Sequence, residues 1–363
     1  MKNKEEQTAP KLRFKGYTDA WQQQKFSKIA LRNNKITNTP NLPAVTYDDI
    51  VSNKGILNKE IKELQKGKKG IFFDKNYVLY GKLRPYLHNY MVPNFKGSAV
   101  GDFWVFKSSY NTPYFLYYLI QTERYNYISN LSIGSKMPRA DWNLVSNSKF
   151  SIPIYKMEQE RIGGLLLKVD DTITLLQRKV ECLRVYLTNE LKELILYSVP
   201  TQTVMFNDII DTISLKNYIT KENINNGKYN ILQQGDNPNF GFSNMIPYKN
   251  YEKVILFGDH TLSIYKPKAP FLVSTDGVKG ITSATIDIKF LHLLLVLFKP
   301  KSQGYKRHLS ILKDTKVTFP KDKDMQIKLG KLFYKEYNYL KQEENRIHEL
   351  KKLKQFLLQN MFI

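Results

Sequence analysis

The sequence predicts an α+β chain. Two similar mixed α/β domains are separated by two long helices, packed as an antiparallel coiled coil about an internal pseudo-two-fold axis. Three observations carry this. A segment beginning at Ser151 recurs without a gap from Thr318. The apolar residues of its first copy step by alternating threes and fours. Upstream of each copy, short β-rich runs alternate with turn signals.

In the repeat, Pro153 falls on Pro320, Gln159 on Gln326, Ile162 on Leu329 and Gly163 on Gly330. The match continues through Ile173 on Leu340, Val180 on Ile347 and Leu183 on Leu350. Extended backward, the same register sets Ser135 on Ser302, Lys136 on Gln303, Arg139 on Lys306 and Ala140 on Arg307. GSKMPRADWNLV thus matches KSQGYKRHLSIL, read as a polar, basic loop entering an apolar strand. TPYFLYYLIQT from Thr112 resembles IDIKFLHLLLVL from Ile286, and Thr112 followed by Pro113 is a helix-start signature. With gaps allowed, the segment around Asp102 opposes that around Asp276, and VLYGKLRP from Val78 opposes ILFGDHTL from Ile255. Four segments result: a globular block over 1–155, a helix over 156–199, a second block over 200–320 and a second helix over 321–363.

Each block reads as a domain built around a curved sheet, with Gly or Asp breaking the apolar runs in KKGIFFDKNYVLYG and NYEKVILFGDHTLSIYKP. In the first helix Leu166, Val169, Ile173, Leu176, Val180, Leu183 and Leu187 form an a/d seam, bounded by Pro153 and Pro200. The second helix keeps Leu340, Ile347 and Leu350 but places Glu336, Glu343 and Lys354 at seam positions. It therefore makes a poor self-pairing zipper, and packing of one helix on the other is the simplest arrangement.

Charge points to the partner. The 363 residues include 56 Lys and Arg against 33 Asp and Glu, a net charge of +23. Apolar residues at 42% and aromatics at 13% argue against disorder. A folded chain this basic suits a polyanion, with nucleic acid the leading candidate. The single cysteine, Cys182, excludes an internal disulfide and fits a reducing compartment. The polar start shows no secretory signal, and the apolar run Phe290 to Phe298 is too short for a membrane span and reads as core. A cytoplasmic protein without a membrane partner is expected.

Catalytic motifs are missing. No phosphate loop occurs, since Lys66 to Gly70 lack its spacing, and no dinucleotide fingerprint follows a strand. The Asn/Asp-Pro-Pro-aromatic word of amino-methyltransferases is absent. His88, His260, His292, His308 and His348 have no zinc spacing; histidines near basic loops read as surface or DNA-contact residues, while His292 falls in the apolar run read as core. Asp276, Asp287-Ile288-Lys289 and Glu252 have roughly the spacing of a Mg²⁺ nuclease. Such words arise readily in a lysine-rich chain, Asp314-Thr315-Lys316 being another, and the first block has no equivalent of Asp287-Ile288-Lys289. A self-sufficient DNA nuclease or methyltransferase with an unrecognised site stays open as the alternative, as does an RNA-binding or architectural protein.

The order of words resembles the specificity (S) subunit of type I restriction–modification enzymes. PKLRFKGYTDAWQQQKFSKI at Pro10, YGKLRPYL at Tyr80, DFWVF at Asp102 and IP-x-x-x-x-EQ-x-x-I over Ile152 to Ile162 are similar to that family's first half. In the second half Met325 replaces the Glu before Gln326, and Asp259-His260 replaces Lys-Leu-Arg-Pro. The resemblance implies a non-catalytic subunit whose two target recognition domains each read half of a bipartite DNA site. The helices would set the spacing and dock two methyltransferase (modification) subunits, with restriction/translocase subunits joining through them. S-adenosylmethionine, ATP and Mg would belong to those partners, leaving this chain no cofactor or metal. A helix of about 40 residues reaches ~60 Å, against ~34–36 Å for a DNA turn. Loop donors are the DNA-binding candidates: Lys82, Arg84, Ser135, Lys136 and Arg139 in the first domain, and His260, Ser302, Gln303, Tyr305, Lys306 and Arg307 in the second. Tyr86 and Trp142 read as core, and Arg178 and Arg184 as facing the modification subunits.

Overall fold

A computed structural model describes residues 9–131, 137–197, 200–304 and 306–363. The chain divides into two compact units: unit 1 comprises 1–175 and 347–363, and unit 2 comprises 176–346. Each unit therefore holds one head together with a stretch of both long helices.

The head of unit 1 has more than one sheet, unlike the single curved sheet expected. One antiparallel sheet runs in the order Ala30–Asn33, Phe103–Ser108, Tyr77–Gly81, Tyr90–Met91. Another runs Ile36–Thr37, Gly70–Phe73, Gly97–Ala99, Ala44–Val45, its last pair parallel. Between them lies a core of Val45, Leu64, Phe73, Leu79, Phe103 and Val105. The β-branched and aromatic runs of the sequence supply these inward faces. A ribbon of Gln22–Lys25 with Lys149–Ile152 closes the head beside the long helix.

The head of unit 2 repeats the plan. Its four-stranded sheet runs Asp211–Ile213, Val278–Thr282, Ile255–Gly258, Ile264–Tyr265, and its ribbon pairs Thr201–Met205 with Lys316–Pro320. The second sheet again contains a parallel pair, Tyr229–Leu232 with Phe271–Val273. Its outer strand Asn239–Ser243 joins Tyr229–Leu232, whereas in unit 1 the third strand Gly70–Phe73, itself flanked by Ile36–Thr37, joins Gly97–Ala99, the opposite member of the equivalent pair. The heads share a framework and differ at this edge.

The repeat marks one recurring joint between head and helix. Gln159 and Gln326 are both buried, and each donates from Nε2 to the carbonyl of the repeat's proline, Pro153 at 3.0 Å and Pro320 at 2.7 Å. Gly163 and Gly330 face the first turns of helices Pro113–Leu119 and Ile288–Phe298. A Cβ on either would lie 2.7 Å from a backbone nitrogen, Phe115 N or Phe290 N. Close approach of two backbones demands glycine at both places. Thr112, predicted as a cap, makes no capping bond; its hydroxyl donates to Gln159 Oε1 at 2.8 Å, tying the helix start to the joint.

Helix Lys156–Val185 continues through a π-helical turn, Tyr186–Glu190, into Leu191–Tyr197, and the second long helix is Lys323–Asn360. Leu166, Val169, Ile173, Leu176, Val180, Leu187, Leu340 and Ile347 are buried, while Leu183 and Leu350 are half-buried. Within unit 1 the helices run antiparallel: Gly163 adjoins Phe115, which stacks on Phe362, and seven residues on Asp170 meets Lys354 at 2.8 Å. Within unit 2, Lys179 pairs with Glu343 at 3.1 Å, while Leu191–Tyr197 packs on the strand preceding the second helix. Two of the charged seam residues thus have specific partners. Asp170 also accepts from the Tyr118 hydroxyl at 2.8 Å, and Lys179 from the other helix bonds Tyr339 as well as Glu343. Charge pairs of this kind set register and direction more than they add stability.

The N-terminal segment explains why Glu158 has no counterpart in the second copy. Arg13 grips the fully buried Glu158 with two hydrogen bonds, 2.7 and 2.9 Å, and Trp21 Nε1 adds a third at 3.4 Å. Leu12 N donates to Asn360 O at 2.8 Å, and Trp21 lies edge-on to Phe115 and Phe362. Met325, at the position of Glu158 in the repeat, is exposed.

Candidate nucleic-acid interface

In head 1 the antiparallel pair Tyr77–Gly81 and Phe103–Ser108 ends with Gly81 opposite Phe103. The chain then turns through Lys82, Leu83 and Arg84, and residues 138–140 lie alongside. Lys82 N donates to Asp102 O at 2.9 Å, Ala140 N to Lys82 O at 2.9 Å and Arg84 N to Pro138 O at 2.8 Å. Leu83 and Arg139 form an antiparallel bridge. Three predicted donors, Lys82, Arg84 and Arg139, therefore meet at one sheet end although 55 residues separate the last two (139 − 84). Asp102 sits among them, 3.0 Å from Arg139 Nη2 and 3.4 Å from Lys82 Nζ. Burial alone would raise the Asp102 carboxyl, but the Arg139 hydrogen bond and the Lys82 charge outweigh it and hold it below the usual range.

Arg84 is exposed and, among the described residues, forms no ion pair. Its backbone is left-handed, φ 47°, directly before Pro85, a conformation that costs on the order of 1–3 kcal/mol for a non-glycine residue. The turn is thereby held in a shape the sequence does not announce, its guanidinium fork facing outward. A cleft of about 410 Å³ opens beside it, lined by Tyr47, Ser52, Arg84, Asn89 and Met137 among others.

Head 2 builds the same corner from different residues. Asp259 N donates to Gly277 O at 2.8 Å, as Lys82 N does to Asp102 O, and His308 N donates to Asp259 O at 2.8 Å, as Ala140 N does to Lys82 O. The counterpart of Ala140 by hydrogen bonding is thus His308, one residue beyond the gapless register. Both basic loops lead into helices, Trp142–Asn147 and Leu309–Lys313, rather than into the strand expected. The cause is capping: Asp141 accepts from Asn143 N and Leu144 N, while in head 2 the buried Asp259 carboxylate accepts from Leu309 N at 2.8 Å. This also accounts for Asp where the first copy has Lys82.

His260 follows Asp259, its Nδ1 3.2 Å from Lys306 O. His308 lies fully buried beneath, bonding Asp259 O through Nδ1 at 3.0 Å and accepting from Gln303 N through Nε2 at 3.1 Å. His308, buried beside the basic loop, corrects its reading as a surface or DNA-contact residue, whereas His292 is buried as the apolar run predicts. Ser302, Gln303, Lys306 and Arg307 are exposed on this loop, with Lys306 Nζ 3.4 Å from Gln303 Oε1. A cleft of about 320 Å³ gathers Gln234, His260, Thr275, Asp276 and Arg307. Lys279 holds Asp276 at 2.9 Å, and that bond is the main reason its carboxyl is lowered.

Ser135, Lys136 and Tyr305 lie outside the described residues. Tyr86 is half exposed rather than core, whereas Trp142 packs against Phe26, Trp104 and Phe106 beneath Arg32. Sequence reasoning missed Tyr47, Gln234 and His308; no motif marks them, and only the close approach of remote segments brings them to these corners. The Asp287-Ile288-Lys289 word has a structural use, since Asp287 caps helix Ile288–Phe298 by accepting from Lys289 N and Phe290 N. Among the described residues no group of three His, Cys, Asp or Glu could hold a metal ion, and no helix is long and apolar enough to cross a membrane.

Comparison with known proteins bears on the chain as a whole. Residues 19–183 match the Type I restriction modification DNA specificity domain. No curated protein sequence matches the chain significantly. Among solved structures, the S subunit of a Type-I restriction-modification system from M. genitalium is similar over 98% of this chain and 99% of its own, at 16% identity and TM-score 0.74. A structure describing complex assembly and conformational transition of the type I R-M system is 15% identical over 93% and 96%, with TM-score 0.48. The HsdS subunit from Thermoanaerobacter tengcongensis is 18% identical over 94% and 96%, with TM-score 0.40. The first of these likenesses shows the fold of the whole chain. Residues 19–183 thus match a type I restriction modification DNA specificity domain, and the chain over its whole length shares the fold of a type I restriction–modification S subunit.

Proposed function

We propose that each head reads one half of a bipartite double-stranded DNA target, with Arg84 and Arg139 in the first head and His260, Gln303, Lys306 and Arg307 in the second among the contacting residues. One observation carries the reading: two heads of the same plan present polar, cation-bearing turns at the same corner of the framework, on a chain of net charge +23. Phosphate contacts by lysine and arginine supply salt-dependent affinity, and a few donors at base edges supply sequence choice. The two heads differ at these turns, which suits unlike half-sites separated by an unread gap.

The long helices act as the spacer and as the docking surface for two methyltransferase subunits, with Arg178 exposed on the first of them. Restriction/translocase subunits join through that assembly. Chemistry, with S-adenosylmethionine, ATP and Mg, resides in those partners, and the complex works in the cytoplasm.

Selection from a randomised duplex library by the full chain tests this reading. Two short defined blocks at fixed separation are expected. Replacing residues 200–320 by the matching block of a relative should change one block only, and changing the length of the 156–197 helix should change the gap. Enrichment of single-stranded RNA instead, or cleavage or methyl transfer by this chain alone, would overturn it.

A further inference from the structure

One position recurs in both heads although its residue type does not. In head 1 the strand Ala44–Val45 pairs in parallel with Gly97–Ala99, Val45 opposite Ala99. In head 2 the strand Tyr229–Leu232 pairs in parallel with Phe271–Val273, Leu232 opposite Val273. Two residues past the end of each strand stands a long polar side chain, Tyr47 in the first head and Gln234 in the second.

These side chains make the same bond. Tyr47 Oη accepts the backbone N–H of Leu83 at 2.8 Å, and Gln234 Oε1 accepts that of His260 at 3.1 Å. Leu83 lies two residues after Gly81 and His260 two after Gly258, the glycines that end equivalent strands. Each glycine makes room for its partner: a Cβ on Gly81 would lie 2.7 Å from Tyr47 Oη, and one on Gly258 would lie 2.9 Å from Gln234 Cβ. The far wall matches as well. Tyr47 donates to Asp102 O at 2.9 Å, and Gln234 Nε2 would be 2.5 Å from a Cβ on Gly277, the counterpart of Asp102. The Tyr47 ring also packs on Phe103, centroids 4.7 Å apart.

We propose that Tyr47 and Gln234 are equivalent positioning residues, each fixing the recognition turn of its own head by holding one backbone N–H of that turn, and so setting sequence discrimination at one half-site. The inference rests on the DNA-reading function proposed above. Neither side chain need touch a base. Losing the acceptor frees the turn that carries Lys82 and Arg84, or His260, while phosphate-driven affinity stays. Tyrosine and glutamine share reach, an oxygen acceptor and a donor, and the acceptor is what holds the turn in both heads.

The test uses the full chain and the same randomised duplex library, with each variant's thermal unfolding followed in parallel. Tyr47→Phe keeps the ring and loses the acceptor. It is expected to relax discrimination on the order of 3–10-fold at one half-site, the value of a single hydrogen bond, and to leave the other unchanged. Gln234→Met should do the same at the opposite half-site, and Gln234→Glu, which keeps an acceptor oxygen, should restore it. Unchanged discrimination in both variants, with the wild type still selecting a bipartite sequence, would overturn the positioning role and leave the DNA-reading function standing. Equal relaxation at both half-sites would also overturn it, as would loss tracking the unfolding temperature without rescue by Gln234→Glu. A wild-type chain that enriches no sequence would overturn the function itself and the inference with it.

Discussion

His292 makes unit 2 sensitive to acid. The side chain is fully buried in helix Ile288–Phe298, edge-on to the Phe333 and Tyr337 rings at 5.2 and 4.9 Å, and both ring nitrogens lack a hydrogen-bond partner among the described residues. Burial, with Lys266 and Lys341 adding positive charge nearby, pushes it from 6.5 to about 3. Between those values the unfolded chain binds a proton that the folded chain refuses, so stability is whole above pH 6.5 and is lost as pH falls toward 3. From these two values the loss attributable to His292 is about 2 kcal/mol at pH 5 and about 3 kcal/mol at pH 4, at 1.36 kcal/mol per pH unit. His292→Leu removes both the titration and two orphaned polar atoms. It should therefore unfold at higher urea than wild type at pH 5, the gap narrowing by about 2 kcal/mol on raising the pH to 8. Hydrogen exchange over amides 290–295 is the suitable measurement, because Trp21, Trp104 and Trp142 all lie in unit 1 and their fluorescence follows the other head. An equal loss of protection in wild type and variant between pH 8 and pH 5 would refute the reasoning.

Adjacent glycines make opposite predictions. Gly163→Ala sets a Cβ 2.7 Å from Phe115 N and should destabilise unit 1 by more than ~2 kcal/mol, whereas Gly164→Ala, with nothing within 4 Å, should stabilise the helix by about 0.5–1 kcal/mol. Urea unfolding followed by tryptophan fluorescence checks both, and effects of like sign would count against the close-approach argument. Arg13→Ala leaves Glu158 buried with only the long Trp21 bond and should cost about 3–5 kcal/mol in unit 1. Glu158→Gln in the same background, which removes the buried charge, should recover part of that loss in the same assay. Asp170→Asn leaves Lys354 without its ion pair and should raise hydrogen exchange at the end of the second helix in unit 1, an effect on the order of 1–3 kcal/mol.

Much of the framework was legible because duplication leaves marks at joints where geometry admits few residues. The two helices, the strands around Gly81 and Gly258, and the helices from Pro113 and Ile288 all follow from the repeat. Other features were hidden for identifiable reasons. The loops after Met137 and Lys306 enter helices because Asp141 and Asp259 supply caps, the second from a turn 50 residues away, and local apolarity does not distinguish that helix from a strand (309 − 259). The single-sheet reading failed because pairing between remote strands decides how many sheets form.

The amino-acid sequence by itself determined the duplicated plan, the long apolar seam and the large positive charge, since periodicity and composition are properties of the chain. Only the tertiary structure decided which segments meet at the corner of each head. Tyr47 and Leu83, or Gln234 and His260, are brought together by strand pairing, and a hydrogen bond formed across a fold has no spacing rule to betray it. Partnering of the seam charges is likewise tertiary, because Asp170 and Lys179 acquire their roles from residues that reach them only when the second helix returns alongside the first.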